Sequence, residues 1–106
     1  VKRKGRISME LEEYIKRCGE SANRKGWKVT WENLSEFLIL TIHELTDGYD
    51  KGMRDDNREK MQEEIGDCLI RLFHIIHDLE IPIEDILKRL MEENERRPYL
   101  HGHKRL

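Results

Sequence analysis

Two short acidic segments constrain this chain more than any other feature. Glu44-x-x-Asp47 and Glu64-x-x-Asp67 share one spacing, and both cross-pairs, Glu44 with Asp67 and Asp47 with Glu64, have a common midpoint between Asp55 and Asp56. On a helix the i, i+3 spacing puts two side chains on one face. If one helix stops near Arg54 and the next starts near Asn57, an antiparallel pair sets Asp47 opposite Glu64, each about 10 Å from the turn, and Glu44 opposite Asp67. Four carboxylates at one level repel unless a cation joins them, and hard divalent ions such as Mg²⁺ or Mn²⁺ suit an all-oxygen site. An acidic pair taken alone is ordinarily solvated surface, the more so where charged residues make up 40% of the chain. The shared midpoint is what sets these two pairs apart from that background.

The apolar pattern supplies the helices that such a hairpin needs. Ser8 can cap a first helix with Leu11, Tyr14, Ile15 and Cys18 at helical spacing, fading near Ala22. Thr30 offers the N-cap of a second, with Leu34, Phe37, Leu38, Thr41, Ile42 and Leu45 on its apolar side, and Gly48 and Gly52 weaken its last turns. Asp56 and Glu59 have the form of a capping box ahead of the longest helix. Its apolar residues, from Met61 through Ile65, Cys68, Leu69, Leu72, Phe73, Ile75 and Ile76 to Leu79, cover more than one face, so it is expected to be central and to serve an oligomer interface. Pro82 opens a fourth helix marked by Ile83, Ile86, Leu87, Leu90 and Met91, and Pro98 ends it. No segment alternates as a strand does. The expected fold class is all-α, a four-helix bundle around an antiparallel central hairpin, with residues 1–106 forming a single domain.

Composition narrows the partners. Hydrophobic residues are 37% and aromatic residues 7% of 106, low for a self-sufficient monomer, and the formal net charge of −2 disfavours a nucleic-acid polymer as partner. The apolar runs are too short to span a membrane, and there is no signal-peptide pattern. Cys18 and Cys68 each fall in an apolar stripe without metal spacing, which fits a reduced, cytoplasmic protein.

Three stretches together resemble one family. Glu44-Leu45-Thr46-Asp47, Glu63-Glu64-Ile65-Gly66-Asp67 and the tail Asn94-Glu95-Arg96-Arg97-Pro98-Tyr99-Leu100-His101-Gly102 are similar to the motifs of the MazG-like nucleoside triphosphate pyrophosphohydrolases, whose signature is ExxE on one helix and ExxD on the next. Lys25-Gly26-Trp27, Ile42-His43-Glu44-Leu45 and Ile70-Arg71-Leu72 extend the resemblance over roughly residues 20 to 105. It implies a MazG-like bundle completed by oligomerisation, as a homodimer or homotetramer, that uses Mg²⁺ to cleave a nucleoside triphosphate into the monophosphate and pyrophosphate. Glu44, Asp47, Glu64 and Asp67 would be the metal ligands, and Glu44, Glu64 or the neighbouring Glu63 would take the proton of the attacking water. Arg71 and His74 continue the face of the second motif toward phosphate, and Asn94, Arg97, Tyr99 and Lys104 match positions that approach the nucleotide in the family. The chain departs from the pattern at His43, where an acid is common, at the shorter Asp47, and at His74.

Trp27 and Trp31 offer aromatic surface on which a base can stack, although indoles more often cover a core where helices meet. Two further readings stand beside the enzyme. A non-catalytic helical interaction module, with exposed acidic pairs, predicts no response to Mg²⁺. A carboxylate-bridged redox-metal bundle normally carries Glu-x-x-His pairs, and none occurs here.

Overall fold

The computed structural model describes residues 10–98, which form four α-helices and no strand. The first, α1 (Leu11–Arg24), places Leu11, Ile15, Cys18 and Ala22 toward the interior, with Glu12 and Glu13 in its first turn and Arg24 in its last, the polarity the helix dipole favours. It ends in a Schellman turn: Trp27 N–H donates to Ala22 O and Gly26 N–H to Asn23 O, with Gly26 at φ 95°, a conformation costly for any side chain. The expected Ser8 cap lies outside the described residues.

The second helix, α2 (Leu34–Gly48), starts later than Thr30 suggests. Thr30 and Asn33 bond each other reciprocally, Asn33 N–H to Thr30 Oγ1 and Thr30 N–H to Asn33 Oδ1, and so close a separate turn ahead of the helix. At its other end α2 runs into a π-helical turn, Tyr49–Met53, that carries the chain as far as Arg54. The third, α3 (Arg58–Asp78), is capped by Asn57, whose side chain accepts the Lys60 N–H, rather than by Asp56, which sits at φ 53° in the link. The fourth, α4 (Ile83–Arg96), follows Pro82, which takes the N-cap position one residue before the helix.

The long helix is central, as its two-faced apolar pattern predicts: α3 packs against α1 on one side and α2 on another. The core lies in its C-terminal half, where Val29, Phe37 and Ile75 are buried and Leu34, Leu72, Leu79 and Ile81 close around them. Fully burying aliphatic or aromatic side chains of this kind contributes about 1.5–3 kcal/mol each, so three such residues make a small core. By contrast α4 has no extensive contact with the other helices, and none of its residues is buried. No helix among the described residues is long and apolar enough to cross a membrane.

Candidate metal centre

The N-terminal half of α3 holds the acids. On α2 the stripe Phe37, Thr41, Glu44, Gly48 recurs every three to four residues and faces α3, and Gly52 continues it through the π turn. The two glycines are what let the backbones close. A Cβ on Gly48 would stand 2.7 Å from Glu64 Cβ, and one on Gly52 would stand 2.9 Å from Met61 Cβ. Where the sequence suggests only weakened helix, these glycines create the approach that delivers Glu64 to α2.

Three of the four expected carboxylates meet. One oxygen from each of Glu44, Glu64 and Asp67 lies within 4.8 Å of the others, which makes this the one group of metal-capable side chains among the described residues. Glu64 is buried, with 5% of its side chain exposed, Glu44 is half-buried and Asp67 is exposed. Two cations already lean on the group: Lys60 Nζ is 2.8 Å from Glu64 Oε1, and Arg71 Nε donates to Glu44 Oε1 at 3.0 Å. The second oxygen of Glu64, Oε2, is buried without a hydrogen-bond donor. The Lys60 hydrogen bond, the Glu44 side chain beside it and the charges of Lys60 and Lys51 hold the Glu64 carboxyl below the usual glutamate range, against the opposing effect of burial. The same bond raises Lys60 above the usual lysine value.

Asp47 stands apart. Its carboxylate pairs with Lys51 at 3.3 Å and is not in the group. Helical geometry explains this: the contact stripe passes from Glu44 to Gly48, about 40° around the helix, whereas Asp47 lies about 60° to the other side of Glu44. Mirrored spacing places four acids at one level, but it does not decide which of them point inward. Glu63 is exposed beside Glu64, and His43 is exposed next to Glu44.

A cavity of about 530 Å³ opens directly from the acids, with Glu44, Asp67 and Arg71 at one end and Trp27, Phe37 and His74 in its wall. Trp27 is 58% exposed, lines the cavity and meets the core residue Phe37 edge-on, with ring centroids 6.4 Å apart. Trp31 is more exposed still and does not line it. No known family, curated protein or solved structure matches this chain. The reading of the site therefore rests on its own geometry.

His74 turns its Nε2 away from the acids, to 2.7 Å from Asp78 Oδ2, and rests edge-on against Phe37. That pairing belongs to a cluster the sequence reading passed over. Asp78 is wholly buried and accepts Val29 N–H at 2.8 Å and Asn23 Nδ2 at 3.1 Å, with His77 Nδ1 at 2.8 Å and Lys28 Nζ at 3.7 Å. Burial pushes its carboxyl up, but the bonds from Val29, His77 and Asn23 and the charge of His74 outweigh that and leave it below the ordinary aspartate value. A signal for it was present: an acid in the last turn of a helix opposes the dipole, so its position needs a local reason. Lys60 was legible too, as the i−4 neighbour of Glu64.

The remaining expected substrate contacts lie elsewhere. Asn94 and Arg97 are exposed on and just beyond α4, away from the cavity wall, while Tyr99 and Lys104 fall outside the described residues.

Proposed function

We propose that the chain is a Mg²⁺-dependent nucleoside triphosphate pyrophosphohydrolase, in which Glu44, Glu64 and Asp67 hold the metal and the adjoining cavity receives the nucleotide. One observation carries this reading. Glu64 buries an oxygen that has no donor, inside a group of three carboxylates for which Lys60 and Arg71 supply two positive charges. A buried charged oxygen without a partner is costly, and a divalent ion with oxygen preference satisfies it. The donor set would suit Mg²⁺, with Mn²⁺ as an alternative, because it is all oxygen and because Glu44 and Asp67 also line the cavity that would admit phosphate.

Bound there, Mg²⁺ supplies charge neutralisation for the triphosphate and lowers the pKa of an attacking water. The chain's own groups do the rest. Arg71 lines the cavity with its Nε on Glu44, and its guanidinium would meet phosphate oxygens there. Trp27 at the mouth offers a face for the base. Water attacks the α-phosphorus, the bond from that phosphorus to the bridging oxygen breaks, and pyrophosphate leaves with the electron pair. The water's proton passes to a carboxylate at the acidic end, Glu44 or Glu64, or to Glu63 beside them. His74, held by Asp78, shapes the cavity wall. The reaction is the one the resemblance to the MazG-like family implies; on the same reading the chain is a homodimer or homotetramer, and its unpaired cysteines fit a cytoplasmic setting.

The experiment is pyrophosphate release from a panel of canonical and modified nucleoside triphosphates, with Mg²⁺ or Mn²⁺, comparing the wild type with Glu64→Gln. The variant is expected to lose about 100-fold or more in turnover and to lose the rise in melting temperature that Mg²⁺ produces in the wild type. Absence of any Mg²⁺ or Mn²⁺ effect on melting, with no nucleotide turned over, would instead support the non-catalytic interaction module.

A further inference from the structure

The cavity beside the acids adjoins a second one. This second cavity has a volume of about 710 Å³, and Cys18, Ala22, Trp27 and Ile70 line both. Its further wall is a face of α1, where Tyr14, Arg17, Ser21 and Arg24 recur at three- or four-residue spacing, with Lys25 at the helix end. From Tyr14 to Arg24 that face runs about 15 Å.

The two cavities differ in charge. The first has Glu44 and Asp67 at one end with Arg71, whereas the second is lined by Arg17, Arg24 and Lys25 against one acid, Glu20. Two rings stand among these cations: Tyr14 is 46% exposed and Trp27 58%. A helix C-terminus attracts cations by its dipole, which accounts for Arg24 and Lys25. It does not account for Arg17, two turns earlier, or for the rings. Exposed rings interleaved with cations are what holds single-stranded nucleic acid, because bases stack on the rings while the cations follow the phosphates.

Size points the same way. Small-molecule sites occupy about 300–1,000 Å³, so the first cavity by itself has room for a nucleoside triphosphate, and the second is not needed to bind one. A ligand that fills both must continue past its first base, with further anionic groups and further rings. A nucleotide strand does so through its 3′ oxygen.

We propose that the second cavity binds single-stranded nucleic acid, with the strand's 5′ end at the acids, its first base at Trp27, and the next phosphodiester and base on Arg24, Lys25 and Tyr14. Resting on the proposed pyrophosphohydrolase reading, this makes the substrate a strand with a 5′-triphosphate. Water bonds to the α-phosphorus, the bond to the bridging oxygen breaks, pyrophosphate leaves with the electron pair, and the strand keeps a 5′-monophosphate. The overall charge of −2 gives no general pull on a polymer, in keeping with a site that holds a few nucleotides at one end of a strand.

The test is calorimetric titration of the full chain, in Mg²⁺ and low salt, with adenosine monophosphate and with an RNA tri-adenylate that carries a 5′-monophosphate. Neither ligand can be cleaved by this reaction. The trinucleotide is expected to bind about tenfold tighter or more, from one added stacked base and its phosphates. Arg24→Gln with Lys25→Gln should remove most of that preference and reduce the salt slope by about 0.7 for each cation lost. Tyr14→Ala should weaken the trinucleotide about fivefold or more. Both variants should keep their helical circular dichroism and their affinity for the monophosphate. Equal binding of the two ligands by the wild type overturns the proposal, as do variants that weaken both ligands alike or leave the preference intact. Turnover is read separately, with the tri-adenylate 5′-triphosphate expected to exceed ATP about tenfold in kcat/KM, and a value no higher than that of ATP removes the strand as substrate. If the trinucleotide is preferred but no triphosphate is cleaved, the binding site stands and the proposed activity falls. If ATP is cleaved but the trinucleotide binds no better than the monophosphate, the activity stands and the strand site falls.

Discussion

The two polar clusters along α3 are built from similar groups and solve opposite problems. At its C-terminal end the Asp78 side chain is fully buried, and Asn23, Val29 and His77 bond its one carboxylate, with Lys28 and His74 at ion-pair distance. At its N-terminal half, three carboxylates face one another, with two borrowed cations and one buried oxygen left unpaired. The first cluster is closed in charge, one carboxylate ringed by the chain's own donors and cations and joining the loop before α2 to the end of α3, although Asn23 Oδ1 and His74 Nε2 are buried there without a hydrogen-bond partner. The second is open: excess like charge beside a cavity. Burial and hydrogen bonding alone do not separate the two clusters, whereas the balance of charge within each does.

The comparison breaks most sharply at Asp78. Asp78→Ala leaves Val29 N–H and Asn23 Nδ2 without their acceptor and two histidines without a partner, and is expected to cost about 3 kcal/mol or more in urea unfolding. Its Mg²⁺-induced rise in melting temperature should nevertheless persist, because the acids at the other end of α3 are untouched. Loss of that rise in a variant that still unfolds cooperatively would show that the clusters are not separate devices.

Gly48→Ala tests the open cluster through its backbone. The added methyl group would stand 2.7 Å from Glu64 Cβ, so α2 and α3 must part or Glu64 must move. Overpacking of this kind costs about 1–3 kcal/mol, offset by about 1 kcal/mol of helix propensity, for a net loss of about 0–2 kcal/mol. Here the Mg²⁺ response should fall as well, the reverse of the outcome at Asp78. An alanine variant that melts and binds Mg²⁺ like the wild type would remove close approach as the reason for the glycine.

How much of this was readable beforehand follows the range of each signal. The four helices rest on local periodicity and lie close to where Leu11, Ile15, Cys18 and the stripes of α2 and α3 place them. The caps shifted, from Thr30 to a separate turn and from Asp56 to Asn57, because several polar residues stood within reach and only the packed helices choose among them. Gly48 and Gly52 looked like defects, since what they accommodate is on α3, far along the chain. The last-turn position of Asp78 marks only that something offsets the dipole there; what does so is not local, since its donors from Asn23 and Val29 lie about 50 residues away in sequence.

Acid separates the clusters less strongly. Both the Asp78 and Glu64 carboxyls are held below their ordinary values when folded, so the unfolded chain binds more protons than the folded one near those values. Their stabilisation is present above about pH 4 and is lost as pH falls through the lower folded values. The urea midpoint should decline as pH falls below about 5. Asp78→Asn should lower the midpoint at neutral pH and flatten the decline, because the asparagine has no proton to take up. An unchanged acid limb in that variant would place the decline on other carboxylates.

The smallest expected effect belongs to Asp47, and it bears on the symmetry that first marked this chain. Asp47 pairs with the exposed Lys51 and its side chain is 46% exposed, so Asp47→Asn should cost no more than about 1 kcal/mol in stability. It should also leave the Mg²⁺ concentration dependence of melting nearly unchanged, whereas Asp67→Asn, which removes a member of the group, should shift it to higher Mg²⁺. Equal shifts in the two variants would mean that Asp47 leaves Lys51 when the ion arrives and turns in beside Glu44. The mirrored spacing would then describe the loaded site, and the three-carboxylate group its resting form. Unequal shifts would confine the symmetry to the level of the residues along the hairpin, with the 41–44–48 contact stripe deciding which acids bind.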